Sequence, residues 1–291
     1  MTRLIDSHAH IWDPRRFDYP WLAGLEPLDR PMLPADVDRA DARVTGMVFV
    51  QADCNPRSAL DEARWVDGLD WAELAGIVAG VDFRDRSGLT AHLDALIAIR
   101  RVVGVRHLLQ DEPDGFFTSP ALREGFAALG ERRLTFDACV RHEQLPLLVS
   151  LLPTMPSLRV VVDHLGKPPV DEGIDSEPGR RWASAIDELA ALDSVSIKVS
   201  GLAPEARDAR SLDRNAGAFI RHAVDAFGAE RSMIGSDWPV SARLGAAETF
   251  AEWIDRVHDA TVPSTAERDA LDAGTAASFY ALPDGPADAD L

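Results

Sequence analysis

Short apolar segments rich in β-branched residues alternate with longer segments of helical periodicity along almost the whole chain. Eight segments predict strands: 4–6, 46–51, 76–82, 103–106, 134–140, 158–164, 195–200 and 232–237. Between them apolar residues recur three and four apart, as in amphipathic helices, most clearly in 58–66, 89–99, 120–129, 182–192, 216–227, 246–257 and 265–279. Because parallel strands need crossover connections, this alternation predicts an α/β protein, a single-domain (β/α)8 TIM barrel. An open doubly wound sheet is the alternative, but no glycine-rich dinucleotide-binding loop follows the first strand.

One irregular insertion and one short tail interrupt this pattern. Residues 13–34 hold five prolines together with Tyr19 and Trp21 and show no periodicity. They predict a long loop over the end of the first strand, and a lid is one interpretation. Residues 283–291 are rich in Asp, Ala and Pro and predict a flexible tail. The barrel domain is therefore predicted to span residues 1–282.

The composition argues against several classes of protein. Lys plus Arg is 30 and Asp plus Glu is 48, which gives a formal net charge of −18. A field of that sign repels nucleic acid and anionic membrane surfaces, so we expect neither as a partner. Cys54 and Cys139 are far apart, which argues against a disulfide scaffold and a structural zinc knuckle. With no signal-like segment or long apolar run, we expect a reduced cytoplasmic protein, a monomer or homodimer.

Two histidines stand either side of one alanine where the first predicted strand ends. Side chains two apart in a strand point to the same face, so His8 and His10 predict a metal site or a proton-relay site. In a TIM barrel, polar residues at the carboxyl ends of strands face the active site. Such residues here are His8, His10, Gln51, Asp82, Arg106, His107, Asp137, His164, Lys198 and Asp237. Because unpaired buried charge is costly, this accumulation predicts a functional site.

Several of these residues also have structural interpretations. Strand alternation lets only one of Arg106 and His107 face the barrel interior, and we favour Arg106 as a fork for a carboxylate or ester oxygen. Asp237 could instead cap a turn, and His164 could be a loop histidine with satisfied hydrogen bonds. Gln51 and Asp82 could be structural hydrogen-bonding groups. Lys198 lies inside a predicted strand, where a buried lysine needs a partner.

Five motifs, spread over nearly the whole chain, carry a family resemblance. They are IDSHAHIWDP at 5–14, GVRHLLQDE at 104–112, VDHLGKP at 162–168, KVSGL at 198–202 and GSDWP at 235–239. In this order they resemble the amidohydrolase superfamily, and within it the sugar-lactone hydrolases of the L-fuconolactonase and L-rhamnonolactonase type. The resemblance implies that an activated water opens a small-molecule sugar lactone at the carboxyl-terminal face of the barrel.

The resemblance also implies roles for individual residues. His8, His10 and Asp237 would hold one divalent metal, zinc, which lowers the pKa of a bound water. Asp237 would take the proton of the water and later deliver one to the leaving alkoxide, with His164 as a second catalytic residue. The residues expected to contact the substrate are Arg106, Gln51, Lys198, Trp12 and Trp238. The tryptophans, Trp21 included, could equally anchor loops.

Two departures from the better-known superfamily pattern leave alternatives open. Strand four ends in Arg106-His107 rather than in a bridging lysine or glutamate, and strand five ends in Asp137 rather than histidine. A binuclear site is therefore not expected, and a metal-independent site is a second possibility. A lactonase for carboxylated aromatic-degradation products, of the pyrone-dicarboxylate or muconolactone type, would use several cations, for which Arg141 and Lys167 are further candidates. A superfamily decarboxylase and a barrel that only binds a ligand are the remaining interpretations.

Overall fold

Eight parallel strands form the centre of the computed structural model, which describes residues 3–283. The strands are β1 (Ile5–Ala9), β2 (Gly46–Val50), β3 (Leu74–Gly80), β4 (Val102–Arg106), β5 (Thr135–Ala138), β6 (Val160–Val162), β7 (Val195–Val199) and β8 (Ser232–Ile234). Each strand pairs in parallel with the next one along the chain. The ring is completed beyond β8, where the backbone N–H of Asp237 donates to the carbonyl of His8 at 2.8 Å. The predicted TIM barrel is confirmed.

Helices follow the strands on the outside of the barrel. They are α1 (Ala59–Asp67), α2 (Leu89–Ile97), α3 (Pro120–Arg132), α4 (Leu145–Leu151), α5 (Glu177–Ala190), α6 (Ala209–Phe227), α7 (Phe250–Thr261), α8 (Thr265–Asp269) and α9 (Thr275–Tyr280). The single helix predicted over 265–279 is divided, because a π-helical turn at Ala270–Gly274 separates α8 from α9. The periodicity did not indicate α4, whose sequence LPLLVSL is apolar on nearly every side and so lacks the polar face of an amphipathic helix.

The last helix closes the end of the barrel where the strands begin. Phe279 and Tyr280 of α9 pack in one buried cluster with Val78, Val161 and other side chains of the barrel strands. The guanidinium of Arg159, which directly precedes β6, donates to the carbonyl of Ser278 at 3.0 Å. Since this end is covered, the opposite end of the barrel, where the strands finish, is the open one.

The predicted loop at 13–34 is irregular apart from short 3-10 turns, one of them at Pro20–Leu22. Trp12, just before it, is fully buried, and its indole N–H donates to the carbonyls of Leu28 and Arg30 at 3.0 Å. The loop is thereby tied down over the end of β1. The predicted tail at 283–291 lies outside the described residues except for Pro283. Within residues 3–283, no helix combines the length and the apolarity of a membrane span.

Candidate active site

The two histidines at the end of β1 meet as their spacing predicts. Nε2 of His8 lies 3.1 Å from Nε2 of His10, and both rings are buried. Nδ1 of His10 lies 2.7 Å from the carbonyl oxygen of Val50. A carbonyl can only accept, so Nδ1 carries the proton and Nε2 keeps a lone pair. His10 therefore presents a metal-binding or proton-accepting nitrogen to the end of the barrel.

Asp237 follows β8 in a left-handed backbone conformation, with φ of 54°. Its Oδ1 lies 3.5 Å from Nε2 of His10 and 3.7 Å from Nε2 of His164, and its Oδ2 accepts a hydrogen bond from the Ser241 hydroxyl at 2.8 Å. Burial would raise the pKa of Asp237, but the two histidines and Ser241 outweigh it and hold the pKa below its usual value. Asp237 is accordingly a carboxylate at neutral pH, able to accept a proton.

His164 is held by an unusual turn after β6. Residues 164–167 all have positive φ, between 50° and 67°, a conformation that non-glycine residues adopt at a cost. Gly201, also at positive φ, packs against the ring, and a Cβ there would lie 2.2 Å from Nδ1 of His164. Only glycine leaves room for the imidazole in this position.

The protonation state of His164 follows from its neighbours. Burial lowers the pKa of His164 to about 4, so the ring is neutral at neutral pH. Its Nδ1 lies 3.0 Å from the hydroxyl of Ser200, which can donate, while Nε2 faces the carboxylate of Asp237. When Ser200 donates to Nδ1, the neutral ring carries its proton on Nε2. His164 is then a hydrogen-bond donor directed at the same space as Asp237.

Of Arg106 and His107, it is Arg106 that reaches the space faced by Asp237 and His164. Its Nη1 lies 3.4 Å from both Nε2 of His8 and Oδ2 of Asp163, and its Nη2 donates to the carbonyl of Gln51 at 2.5 Å. Its Nε is buried and has no hydrogen-bond partner among residues 3–283. His107 instead pairs with Glu112 at 2.8 Å. Arg106 therefore supplies a permanent positive charge at the site.

A network of buried charges lies beneath the histidines. The ammonium of Lys198 is fully buried, 2.5 Å from Oδ2 of Asp137 and 3.2 Å from Oδ1 of Asp163. Tyr280, from the helix that closes the other end of the barrel, donates to Asp137 at 2.9 Å. Burial raises the pKa of Asp137 to about 6. It would raise that of Asp163 too, but Lys198 and His8 hold the pKa of Asp163 well below its usual value.

Two residues of this buried network, Asp163 and Tyr280, were not predicted as part of the site. Asp163 stands directly before His164 in the motif VDHLGKP, and a carboxylate at a strand end could have indicated it. It lies 3.2 Å from Nδ1 of His8, so it helps to determine which nitrogen of that ring is protonated. Tyr280 had no such signal, because it reaches Asp137 from the far end of the chain through tertiary packing alone.

The cavity above the site measures about 280 Å³ and is open to solvent. His10, His164, Arg106 and Asp237 lie in its wall. Its apolar side is formed by Trp21, Leu25, Val240 and Leu244. Its polar side includes Asp53, Gln110, Asp111, Lys167 and Glu205. The cavity is at the small end of the range for ligand pockets, which fits a small molecule.

Four residues predicted to contact the substrate do not line this cavity. Lys198 and Trp12 have no exposed surface, because one is enclosed by buried carboxylates and the other anchors the loop at 13–34. Trp238 is buried as well. Gln51 accepts a hydrogen bond from the N–H of Asp53 at 2.5 Å and belongs to an adjacent cavity. The substrate contacts predicted for these four thus lie outside the wall of this cavity, whereas Trp21 lies in it.

The residues predicted as metal ligands fit one ion. The ligand atoms of His8, His10 and Asp237 all lie within 4.8 Å of one another. The distances of 3.1 Å between the histidines and 3.5 Å from His10 to Asp237 are near the roughly 3.3 Å between neighbouring ligands of a tetrahedral zinc ion. His10 has the required tautomer. His8 has it when its Nδ1 proton is donated to Asp163.

Known proteins resemble the chain over nearly its full length. The amidohydrolase family matches residues 5–282. A protein named L-fucono-1,5-lactonase from Burkholderia multivorans is 38% identical, covering 99% of this chain and 98% of the relative. A protein named 2-pyrone-4,6-dicarboxylate hydrolase from Comamonas testosteroni is 27% identical over 81% of this chain and 76% of its own length.

A solved structure agrees with these matches. A crystal structure of an amidohydrolase from Burkholderia multivorans with bound Zn superimposes with a TM-score of 0.83 at 34% identity, covering 96% of this chain and 99% of the other. Histidine and aspartate groups able to hold a divalent ion are thus present here, in the fold of a zinc-bound relative. Given the match over residues 5–282 and the relative at 38% identity, the chain belongs to the amidohydrolase family and is an enzyme.

Proposed function

We propose that the enzyme hydrolyses an uncharged sugar lactone to the open-chain sugar acid in the cavity at the open end of the barrel. The observation that carries the proposal is the position of the Asp237 carboxylate, between Nε2 of His10 and Nε2 of His164. Proton acceptor and hydrogen-bond donor are thereby directed at one small space, beside the guanidinium of Arg106. The relative named L-fucono-1,5-lactonase supports the substrate class.

The chemistry assigns one role to each group. A water molecule attacks the lactone carbonyl carbon as Asp237 accepts one of its protons, and the carbonyl oxygen becomes an oxyanion. The N–H of His164 and the guanidinium of Arg106 stabilise that negative charge, which is where fixed donors are most effective. The bond from the carbonyl carbon to the ring oxygen then breaks, and the proton on Asp237 passes to the leaving alkoxide. The product is a hydroxy acid, and Asp237 is restored.

We also propose zinc as the ion that His8, His10 and Asp237 would hold. When bound, it would lower the pKa of a water and polarise the carbonyl. The chain's own contribution is to keep the lone pair of His10 free through the bond to Val50. Asp163 faces Nδ1 of His8 and can do the same for that ring.

The charges around the cavity favour an uncharged substrate over a dicarboxylate. Its two cationic side chains are already paired: Arg106 with Asp163 at 3.4 Å, and Lys167 with Glu205 at 3.3 Å. The wall also carries Asp53 and Asp111. Among the described side chains of the wall, a substrate with two carboxylates would meet several acids, and both cations it would meet already have an acidic partner, which costs binding energy. The apolar side with Trp21 suits instead the C–H face of a sugar ring.

The second candidate is a lactonase for carboxylated aromatic-degradation products, which the relative named 2-pyrone-4,6-dicarboxylate hydrolase supports. One experiment separates the two. Proton release would be followed for sugar 1,4- and 1,5-lactones and for 2-pyrone-4,6-dicarboxylate, with enzyme freed of metal and with enzyme loaded with zinc. We expect the enzyme to hydrolyse sugar lactones and to show little turnover of the dicarboxylate. Turnover of the dicarboxylate alone, or release of carbon dioxide without ring opening, would contradict the proposal.

A further inference from the structure

Glu62 is a buried carboxylate outside the site described above. It lies on α1, is 1% exposed, and accepts a hydrogen bond from the hydroxyl of Tyr19 at 3.0 Å. The backbone N–H of Ala52 and the thiol of Cys54 also face it. Burial raises the pKa of Glu62 to about 7. A buried acid in an outer helix is costly, so its presence calls for a role.

The groups around Glu62 come from two different loops. Tyr19 belongs to the loop at 13–34, whereas Ala52 and Cys54 belong to the loop that follows β2. The same two loops are joined again by the indole N–H of Trp21, which donates to the carbonyl of Ala52 at 2.8 Å. The N–H of Asn55 donates to the carbonyl of Asp18 at 2.8 Å. Glu62 therefore lies at the joint between the two loops.

Both loops supply the wall of the cavity. Trp21 and Leu25 come from the first loop, and Ala52 and Asp53 from the second. Trp21 is only half-buried, so its position depends on its bond to Ala52 and on the course of the loop. A shift of the joint would move the aromatic surface against which a substrate ring packs.

We propose that Glu62 is a positioning residue for substrate binding: by holding Tyr19 and the loop after β2 together, it sets the position of Trp21 in the cavity wall. This inference rests on the proposed function, because the substrate ring is the group that Trp21 would contact. A carboxyl group suits the role because its two oxygens can accept from the three donors that face it, which are the hydroxyl of Tyr19, the N–H of Ala52 and the thiol of Cys54. Glutamine would turn an N–H₂ toward one of those donors, while leucine would leave Tyr19 without an acceptor.

The test compares two variants that weaken the joint with one that breaks a similar contact elsewhere. The variants are Glu62→Gln and Tyr19→Phe, and Tyr19→Phe removes a single oxygen and carries the test if Glu62→Gln does not fold. The control is Glu73→Gln. Glu73 is partly buried and accepts a hydrogen bond of 2.8 Å from Arg39, and neither residue lines the cavity. For the best lactone we expect KM to rise about tenfold in both variants with kcat within about twofold, because only binding is affected. The double variant should resemble Glu62→Gln rather than show the product of both effects.

Hydrogen exchange of the loop amides makes the test independent of turnover. Amides at 15–25 and 52–55 should exchange faster in Glu62→Gln and Tyr19→Phe than in the unaltered protein. Their exchange rates should be unchanged in Glu73→Gln. Unaltered exchange, or altered exchange with KM unchanged for a lactone that the enzyme hydrolyses, would overturn the role of Glu62. If no lactone is hydrolysed but exchange responds as expected, the joint stands as a loop-positioning element and the proposed substrate is wrong.

Discussion

The ammonium of Lys198 lies 3.0 Å from Nδ1 of His8, deep inside the barrel. Asp163 lies 3.2 Å from the same nitrogen. If Lys198 donates to Nδ1, the proton of His8 is on Nε2 and points at His10, and the pair needs no metal. If Nδ1 donates to Asp163, both Nε2 atoms have free lone pairs and can bind an ion. The tautomer of His8 thus decides whether the two Nε2 atoms can bind an ion together.

We predict that the protein binds one zinc ion per chain through His8 and His10, the histidine pair at the end of β1. His10→Ala should weaken zinc binding at least about 100-fold, measured by competition with a chromogenic chelator. His92→Ala is the matched control, because His92 bonds to the carbonyl of Gly80 at 2.9 Å outside the site. Equal zinc affinity in His10→Ala and the unaltered protein would show that the ion is held elsewhere.

The buried network makes Lys198 a determinant of stability. Lys198→Met leaves the buried carboxylate of Asp137 without a counter-ion and leaves Asp163 with Arg106 as its remaining cationic partner, which should lower the free energy of unfolding by about 3–5 kcal/mol in denaturant titrations. Lys167→Met removes a lysine that is paired at the cavity wall and partly exposed, and should cost less than about 1 kcal/mol. Similar losses in the two variants would mean that the interior network is not what stabilises the barrel.

Glu62 should make the stability of the folded protein fall as pH rises. Its pKa in the folded protein is about 7, above the ordinary 4.5, so folding favours the protonated acid. As pH rises from 5 to 8, the stability of the unaltered protein should fall relative to Glu62→Gln, by up to roughly 3 kcal/mol.

Glu73 should contribute a pH dependence of stability with the opposite sign. Its hydrogen bond from Arg39 lowers the pKa of Glu73, so its contribution is present above 4.5 and is lost as pH falls. The stability of the unaltered protein relative to Glu73→Gln should therefore rise with pH. Denaturant titrations across the pH range measure both slopes, and two slopes of the same sign would refute the assignment for Glu62.

Gly201 should be essential for the placement of His164. In Gly201→Ala the new Cβ would lie 2.2 Å from Nδ1 of His164 and the backbone would be strained, so we expect kcat for the best lactone to fall at least about tenfold. Gly217→Ala, in α6, is the control, because among residues 3–283 the nearest atom that a Cβ there would meet beyond its own helix backbone is Cβ of Ala260 at 3.8 Å, and alanine favours helix. A fully active Gly201→Ala would remove His164 from the proposed mechanism.

The fold and the reactive end of the site could be predicted because both follow from local periodicity. Alternating strands and helices leave few topologies, and the ends of parallel strands must converge, which brings His8, His10, Arg106 and Asp237 together. The same reasoning predicted a substrate contact for Lys198, which is fully buried and does not line the cavity. Strand alternation tells which side chains face the interior but not their depth, and Lys198 lies within β7, below the level of the cavity.

The remaining features depend on packing that no short pattern records. Trp12 and Trp21 are both aromatic residues near one loop, yet the carbonyls of Leu28 and Arg30 enclose the first, while the carbonyl of Ala52 holds the second at the cavity. Tyr280 reaches Asp137 only because α9 closes the barrel. Such contacts join distant parts of the chain, so they become visible only in three dimensions.

The proposed hydrolysis depends on proton transfer to Asp237, and Asp237→Asn removes that transfer. Asparagine keeps the shape of the side chain but cannot accept the proton of the water, so kcat for the best lactone should fall about 10³-fold with an unchanged thermal unfolding midpoint. Ser241→Ala, which removes only the hydrogen bond to Oδ2, is the control and should lose less than about tenfold. A kcat for Asp237→Asn within tenfold of the unaltered enzyme would show that Asp237 is not the proton acceptor.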